Sequence, residues 1–242
     1  TNIIHDRPFT KIFFNKNHFS TKSLGIILAY SSFLERGIED KKKIKESSAA
    51  IAKAVDRAAS LVRQILTFAR QAEVLFQPLN VSNFMLEIAS MLEETFPKTI
   101  EIRRNIERNI PFINADQTQI HQALLNLCVN ARDAMPNGGI LNIKAETVEQ
   151  NIIRERFPAA SHERYACISV SDSGTGIDAK TEQRIFDPYF TTKEHGKGIG
   201  LGLSVVYGVM QTHHGFVDMK SEEGKGTTFF LYLPIPFDTV KN

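Results

Sequence analysis

Ile51, Val55, Ala58, Val62, Ile65 and Ala69 recur in alternating steps of four and three, a heptad-like apolar seam along one side of a helix. A shorter stripe, Leu24, Ile27, Tyr30 and Leu34, precedes it, and the polar stretch GIEDKKK (Gly37–Lys43) lies between the two. Two helices joined by a short charged turn form an antiparallel hairpin, which cannot bury both of its faces alone. Pairing with a second copy into a four-helix bundle meets that need. Packing of the hairpin on the rest of its own chain is the alternative, and no surface for it is legible. Residues 1–75 are expected to form this helical domain, and 76–242 a second one.

The pattern changes after FQPLN (Phe76–Asn80). Ser82 is suited to cap a helix whose apolar positions are Phe84, Met85, Ile88, Met91 and Leu92. TIEIRRNI alternates as a strand does, a helix is expected from Asp116 to Met135, and the turn PNGG (Pro136–Gly139) leads into the strand ILNIKAETV. YACISVSD, FVDMKSE and GTTFFLYLP supply further strands, and residues 149–163 read as a surface insertion. Helices mixed with largely antiparallel strands predict an α+β sandwich, one helical layer on one sheet.

Composition excludes several classes. At 42% hydrophobic and 23% charged residues, the 242-residue chain is globular rather than disordered. A formal net charge of +2 without a basic stripe gives no reason to expect nucleic acid. Cys128 and Cys167 sit in apolar surroundings as small core residues, without disulfide or metal-site spacing, which fits a reducing compartment. No apolar run reaches a membrane span and the N-terminus does not read as a signal peptide. The segment is expected to be cytoplasmic and without membrane contact, any anchor of a longer parent protein lying outside it.

The chemistry concentrates in the second half. In GKGIGLGLSVVYG (Gly196–Gly208) four glycines occupy every second position directly ahead of an amphipathic helix. Such a backbone can bring N–H groups at a helix N-terminus close to a phosphate, or it can simply be a mobile loop. NLCVNARDA (Asn126–Ala134) sets Asn126, Asn130 and Asp133 at helical spacings of four and three, so polar groups share one face of an apolar helix. An amide oxygen there suits Mg²⁺, which takes a few protein oxygens beside phosphate oxygens and water; buried asparagines are also commonly structural. DSGTG (Asp172–Gly176) follows a strand directly and places a carboxylate where it can accept from an exocyclic amine such as that of adenine, although by itself it is a turn. FDPYFTTK (Phe186–Lys193) is an aromatic anchor followed by a basic segment. The common nucleotide loops do not fit: Lys197 is followed by Gly198 rather than Ser or Thr, and the glycines alternate instead of following GxGxxG.

Taken in order, the asparagine helix, Asp-x-Gly-x-Gly, the aromatic anchor and the alternating glycines closely resemble the N, G1, F and G2 boxes of the histidine-kinase ATP-binding domain, and GKGTT (Gly224–Thr228) resembles the last glycine box. The resemblance covers roughly Gln77 to Pro234. That family shares the gyrase, chaperone and mismatch-repair ATPase fold, so the resemblance implies ATP and Mg²⁺ as cofactors. It implies Asn130 as the principal Mg²⁺ ligand with Asn126 assisting, and Asp133 on the same ATP-facing side. Asp172 would read the adenine amine, with Gly174, Gly176 and Thr227 shaping that end of the pocket. Phe186 to Gly198 would be the ATP lid. Gly198, Gly200, Leu201 and Gly202 would face the phosphates, with Lys193 or Lys197 adding a cation. Hydrolysing members carry a glutamate where this chain has Asn126; an amide cannot serve as that general base, so phosphoryl transfer is favoured over hydrolysis.

The N-terminal hairpin also resembles the dimerisation and histidine-phosphotransfer domain of these kinases. The whole is similar to a sensor histidine kinase core, a homodimer that phosphorylates a histidine and serves a response-regulator receiver domain. His18 is the favoured acceptor: HFSTKSLGIILAYSSFL has the family's leucine at the sixth position after the histidine and the right distance to the turn. It departs from the family at Phe19, normally Asp or Glu, and at Lys22, often Thr or Asn. His5, followed by Asp6, is the second candidate but lies about thirty residues from the turn, too far along a helix rising about 1.5 Å per residue. Two other classes stay open: an ATP-binding pseudokinase scaffold, and a serine kinase or ATPase of the same fold.

Overall fold

The computed structural model describes residues 16–35, 40, 42–52, 55, 74–193 and 200–236, with the backbone alone over 16–24. The chain divides into two compact units, residues 1–72 with 193–199 and residues 73–192 with 200–242. In the first, helix α1 spans Lys16–Glu35 and helix α2 is described over residues 42–52 and at 55. On α1, Ile27, Ser31 and Leu34 are the more sheltered positions, while Tyr30 is exposed. The inward stripe therefore steps by four and then three from Ile27, which turns Tyr30 away from it. Ile51 is half-buried and Val55 exposed; Ala58, Val62, Ile65 and Ala69 lie outside the described residues, as does His5. Among the described residues no helix is long and apolar enough to cross a membrane.

The second unit is built on a five-stranded sheet in the order β2-β4-β5-β7-β6. Its strands are β2 (Ile100–Ile106), β4 (Gly139–Glu149), β5 (Arg164–Asp172), β6 (Phe216–Glu222) and β7 (Gly226–Pro234). β2 and β4 run parallel, and every other pair in the sheet is antiparallel. A small antiparallel pair, β1 (Gln77–Leu79) with β3 (Ile113–Ala115), stands apart from it, and a short helix, α6 (Ala179–Glu182), follows β5. Alternation sends Leu141, Ile143, Ile168, Val170, Phe229 and Leu231 to one face, where α3 (Val81–Thr95), α4 (Gln117–Asp133) and α7 (Gly202–Thr212) cover them. Burial of this shared apolar layer is the main stabilising term of the unit.

Two expectations need correction. The cap of α3 is Asn80, not Ser82: the Asn80 side chain accepts from the Asn83 N–H at 2.9 Å, while the Ser82 hydroxyl is already inside the helix and donates to the Glu107 carbonyl at 2.7 Å. The helix starts as soon as β1 ends, so the first polar residue after the strand takes the cap. Residues 149–163 are not a mere surface insertion either. α5 (Gln150–Arg154) and the turn after it bury Ile153, Phe157 and Ala160 against Tyr165, with Val148, Phe216 and Tyr232 packed on them. Phe157 stacks on Phe216 at 4.8 Å between centroids, and the Tyr165 hydroxyl accepts from the Ser161 and His162 N–H groups. This is a satellite core on the sheet face opposite the three helices.

Candidate functional site

α4 begins at Asp116, whose carboxylate accepts from the Thr118 and Gln119 N–H groups as an N-cap. Its apolar face, Ile120, Ala123, Leu124, Leu127, Cys128 and Ala131, is buried. Asn126 and Asn130 sit at the flank of that face, half-buried, and the start of α7 lies against them. A methyl group placed on Gly202 would stand 3.7 Å from Asn130 Nδ2 and 3.8 Å from Asn126 Oδ1. The cap position of α7 is Leu201, and among the described residues no side-chain capping bond is made there. An uncapped helix N-terminus offers N–H groups and positive dipole to an anion, and two amides beside it offer oxygens to a cation. Among the described residues no cluster of three His, Cys, Asp or Glu side chains could hold a metal ion, so a cation here would need amide, water and phosphate oxygens together. The donor set fits Mg²⁺ in that form.

α4 also connects this end to Asp172. The Ala134 carbonyl, one residue past the helix, accepts from the Thr175 N–H at 3.1 Å. Asn130 lies four residues back, about 6 Å along the axis. Asp172 ends β5, is 9% exposed, and accepts from the Gly174 N–H at 2.8 Å. Burial pushes its carboxyl above the ordinary carboxylate range, while hydrogen bonds from the Gly174 and Thr227 N–H groups pull the other way. The result is a carboxylate held in place by backbone and kept from water, suited to accept from a planar amine. Gly174 is required here: a Cβ would lie 2.6 Å from the Ala134 carbonyl oxygen and 2.8 Å from Asp172 Oδ1. Gly176 follows in the same turn, against the carbonyl of Glu222.

Thr227 meets Asp172 through the β5–β7 register and is 5% exposed. Its hydroxyl lies 2.8 Å from that of Ser221, which also accepts from the Ile177 N–H at 2.8 Å. Ser221 thus ties the turn after β5 to the β6–β7 hairpin. Ser173 does the same on the other side, its hydroxyl accepting from the Ile140 N–H at 2.9 Å. Neither serine stands out in the sequence; the one local signal for Ser221 is its place opposite Thr227 across a glycine-bearing hairpin.

Phe186 packs against the core and lies 5.9 Å from the Tyr207 ring of α7, beside buried Ile185. The chain then turns at Tyr189, whose φ is 67°, and its N–H donates to the Gly200 carbonyl at 2.8 Å. Gly200 has φ 72°, and a Cβ there would meet the Phe190 carbonyl oxygen at 2.5 Å, so the stem of this loop closes only with glycine. Lys193 ends the described stretch before residue 200; Lys197 and Gly198 lie outside the described residues. Asp133 is at the far end of α4, its carboxylate held by Arg132 at 2.9 and 3.1 Å. His18 falls on α1, and its side chain lies outside the described residues. Asn126, Asn130 and Gly202 are thus gathered at one point, and Asp172, Gly174, Gly176 and Thr227 at another, with α4 linking the two. Cys128 and Cys167 are buried with thiols pushed up to about 12, which leaves them no thiolate chemistry at neutral pH.

Residues 115–236 match the family of histidine kinase-, DNA gyrase B-, and HSP90-like ATPases. The chain is 40% identical over 180 residues to the sensor kinase CckA of Brucella abortus (strain 2308), covering 74% of this chain and 19% of that one. It is 33% identical over 188 residues to the sensor histidine kinase ZraS of Escherichia coli (strain K12), covering 76% of this chain and 37% of that one. It therefore spans well under half the length of these relatives. Among solved structures it resembles the histidine kinase ThkA, crystallised in complex with response regulator protein TrrA, with a TM-score of 0.65 and 22% identity over 90% of this chain and 59% of that one. That likeness extends over the helical unit as well as the sheet unit.

Proposed function

The chain belongs to the histidine kinase-, DNA gyrase B-, and HSP90-like ATPase family and carries a sensor histidine kinase catalytic core; from that premise we propose that it binds Mg-ATP, phosphorylates a histidine of its own helical hairpin and passes the phosphoryl group to an aspartate of a receiver domain. The observation that carries this reading is the pairing, along α4, of a buried strand-end carboxylate with an asparagine flank set against an uncapped helix N-terminus. The first suits adenine and the second suits phosphate, and α4 sets the distance between them.

In this reading Asp172 takes the adenine amine, with Gly174, Gly176 and Thr227 around it. Asn130, assisted by Asn126, is the protein's ligand for Mg²⁺, which screens the phosphate charge when bound. Gly198, Gly200, Leu201 and Gly202 face the phosphates, Asp133 lies on the same side of α4, and Phe186 to Gly198 forms the lid with Lys193 or Lys197 as its cation. Asn126 supplies no base for water, which favours transfer over hydrolysis. The His18 imidazole attacks the γ-phosphorus, the bond to the β–γ bridging oxygen breaks, ADP leaves, and the imidazole proton goes to water, since Phe19 cannot take it. Residues 1–75 form the dimerisation and phosphotransfer domain and 76–242 the ATP-binding domain. Exposed Leu28, Phe33, Ile44 and Val55 on the two N-terminal helices support a homodimer through that domain. The core works in the cytoplasm.

Incubation with γ-labelled ATP and Mg²⁺, followed by mapping of the labelled residue, tests the proposal. Label on His18 that is lost in acid and survives base is the expected result. Label stable in acid and lost in base indicates a serine kinase, and ATP binding without label indicates a scaffold. Either result refutes the histidine-kinase assignment.

A further inference from the structure

His213 is the buried histidine at the C-terminal end of α7, 2% exposed. Its Nε2 lies 3.0 Å from the Asp116 backbone nitrogen, and an N–H can donate only to an unprotonated ring nitrogen. The ring proton is therefore on Nδ1, which donates to the Val209 carbonyl at 2.8 Å. Asp116 is the N-cap of α4, and its second carboxylate oxygen accepts from the Leu75 N–H at 3.1 Å. Phe76 completes the arrangement, its ring 5.1 Å from His213 and edge-on at 62°. End of α7, start of α4 and residues 75–76 thus close on one imidazole.

α4 and α7 run antiparallel, because the start of α7 meets Asn126 and Asn130 near the far end of α4. Two points fix the axial register of such a pair. One is the Gly202–asparagine contact; the other, about 16 Å away along α7, is the His213–Asp116 bond. A slip at the second point is carried to the first, because an α-helix transmits axial displacement as a rigid rod. We infer that His213 is a positioning residue: as a neutral acceptor for the Asp116 N–H it sets α7 against α4, and so sets the separation of the α7 N-terminus from Asn126 and Asn130, while tying that separation to residues 75–76. The inference rests on the ATP-site reading above.

Protonation of His213 would set a ring N–H against the Asp116 N–H and release the bond. Burial pulls its pKa below the ordinary histidine value, and the charged or titratable groups facing it are Asp116 of α4, which opposes that shift, and His214 beside it, which reinforces it. The neutral form is therefore complete above the ordinary value of 6.5 and is lost as pH falls through the lower folded value.

The test compares the full parent chain with His213→Gln, whose amide oxygen can replace Nε2 as acceptor without titrating, and His213→Leu, which removes the acceptor. Mg-ATP affinity is measured by calorimetry from pH 8 to 5, with circular dichroism as the folding control. His213→Leu should bind roughly tenfold more weakly at pH 8, within the usual range of coupling between distant points. His213→Gln should bind within about twofold of the parent at pH 8 and lack the parent's extra acid loss. A folded His213→Leu variant with parental affinity, or a His213→Gln variant with the parent's acid limb, overturns the inference. If the parent itself binds no ATP, the nucleotide reading fails instead. The inference is then judged by amide hydrogen exchange at Gly202 and Asn130, which His213→Leu should accelerate at both, and unchanged protection overturns it. The same exchange measurement decides the matter if His213→Leu does not fold at acid pH, since it is made at pH 8.

Discussion

Asp172 is a carboxylate whose burial opposes its ionisation and whose backbone donors permit it. Its folded pKa lies above the unfolded one, so the stabilising neutral form is present below the ordinary carboxylate range and lost as pH rises through the folded value. Asp172→Asn should therefore leave the nucleotide-free protein at least as stable at pH 7, seen as an equal or higher Tm, while removing the preference for ATP over GTP. A retained preference would refute the adenine role. Asn130 is half-buried at the edge of the helical layer, and Asn130→Ala should abolish Mg²⁺-dependent ATP binding with a change in stability of only about 1 kcal/mol. Calorimetry with and without Mg²⁺ checks it. Phe19 and Lys22 flank the proposed acceptor with groups that neither take a proton nor orient water. General-base help is worth about 10²–10⁴-fold, so Phe19→Glu with Lys22→Thr should accelerate labelling of His18 and create phosphatase activity toward the receiver. Rates equal to the parent's in both reactions would count against His18.

At the scale of elements, α4 does most to organise the site. Asp116 starts it, Asn126 and Asn130 face α7 from its flank, and Ala134 at its end receives the turn that follows Asp172. α5 and its turn lie on the other face of the sheet and share none of these contacts. Phe157 is nearly buried there, so Phe157→Ala should cost about 3 kcal/mol, at the low end for a core phenylalanine because the cluster is small. ATP affinity should not change. Thermal melts and calorimetry on one preparation separate the two effects, and a parallel loss of affinity would show that the satellite core supports the site.

At the scale of the whole molecule, the apolar side chains left exposed on α1 and α2 are the physical argument for a second copy. Light scattering should report twice the chain mass at micromolar concentration. Removal of residues 1–75 should leave a monomer that still binds ATP, because the residues proposed to hold the nucleotide all lie within residues 116–227. A monomeric full chain would refute the dimer.

The sequence by itself determined the order of the parts: a heptad-like seam, then an asparagine helix, a strand-end aspartate, an aromatic anchor and glycines before a last helix. Each is written within a few neighbouring residues, because helical period, strand alternation, caps and glycine turns are local properties. Tertiary structure decided what those parts meet. The β5–β7 register put Thr227 opposite Asp172 and brought Ser221 to Thr227. The antiparallel α4–α7 pair set Gly202 beside Asn126 and Asn130 and closed Asp116 on His213. The second face of the sheet turned residues 149–163 from an apparent insertion into a small core, and the end of β1 moved the α3 cap from Ser82 to Asn80. Register and packing are settled by which faces fit across long separations in the chain, and no short window of residues contains that information.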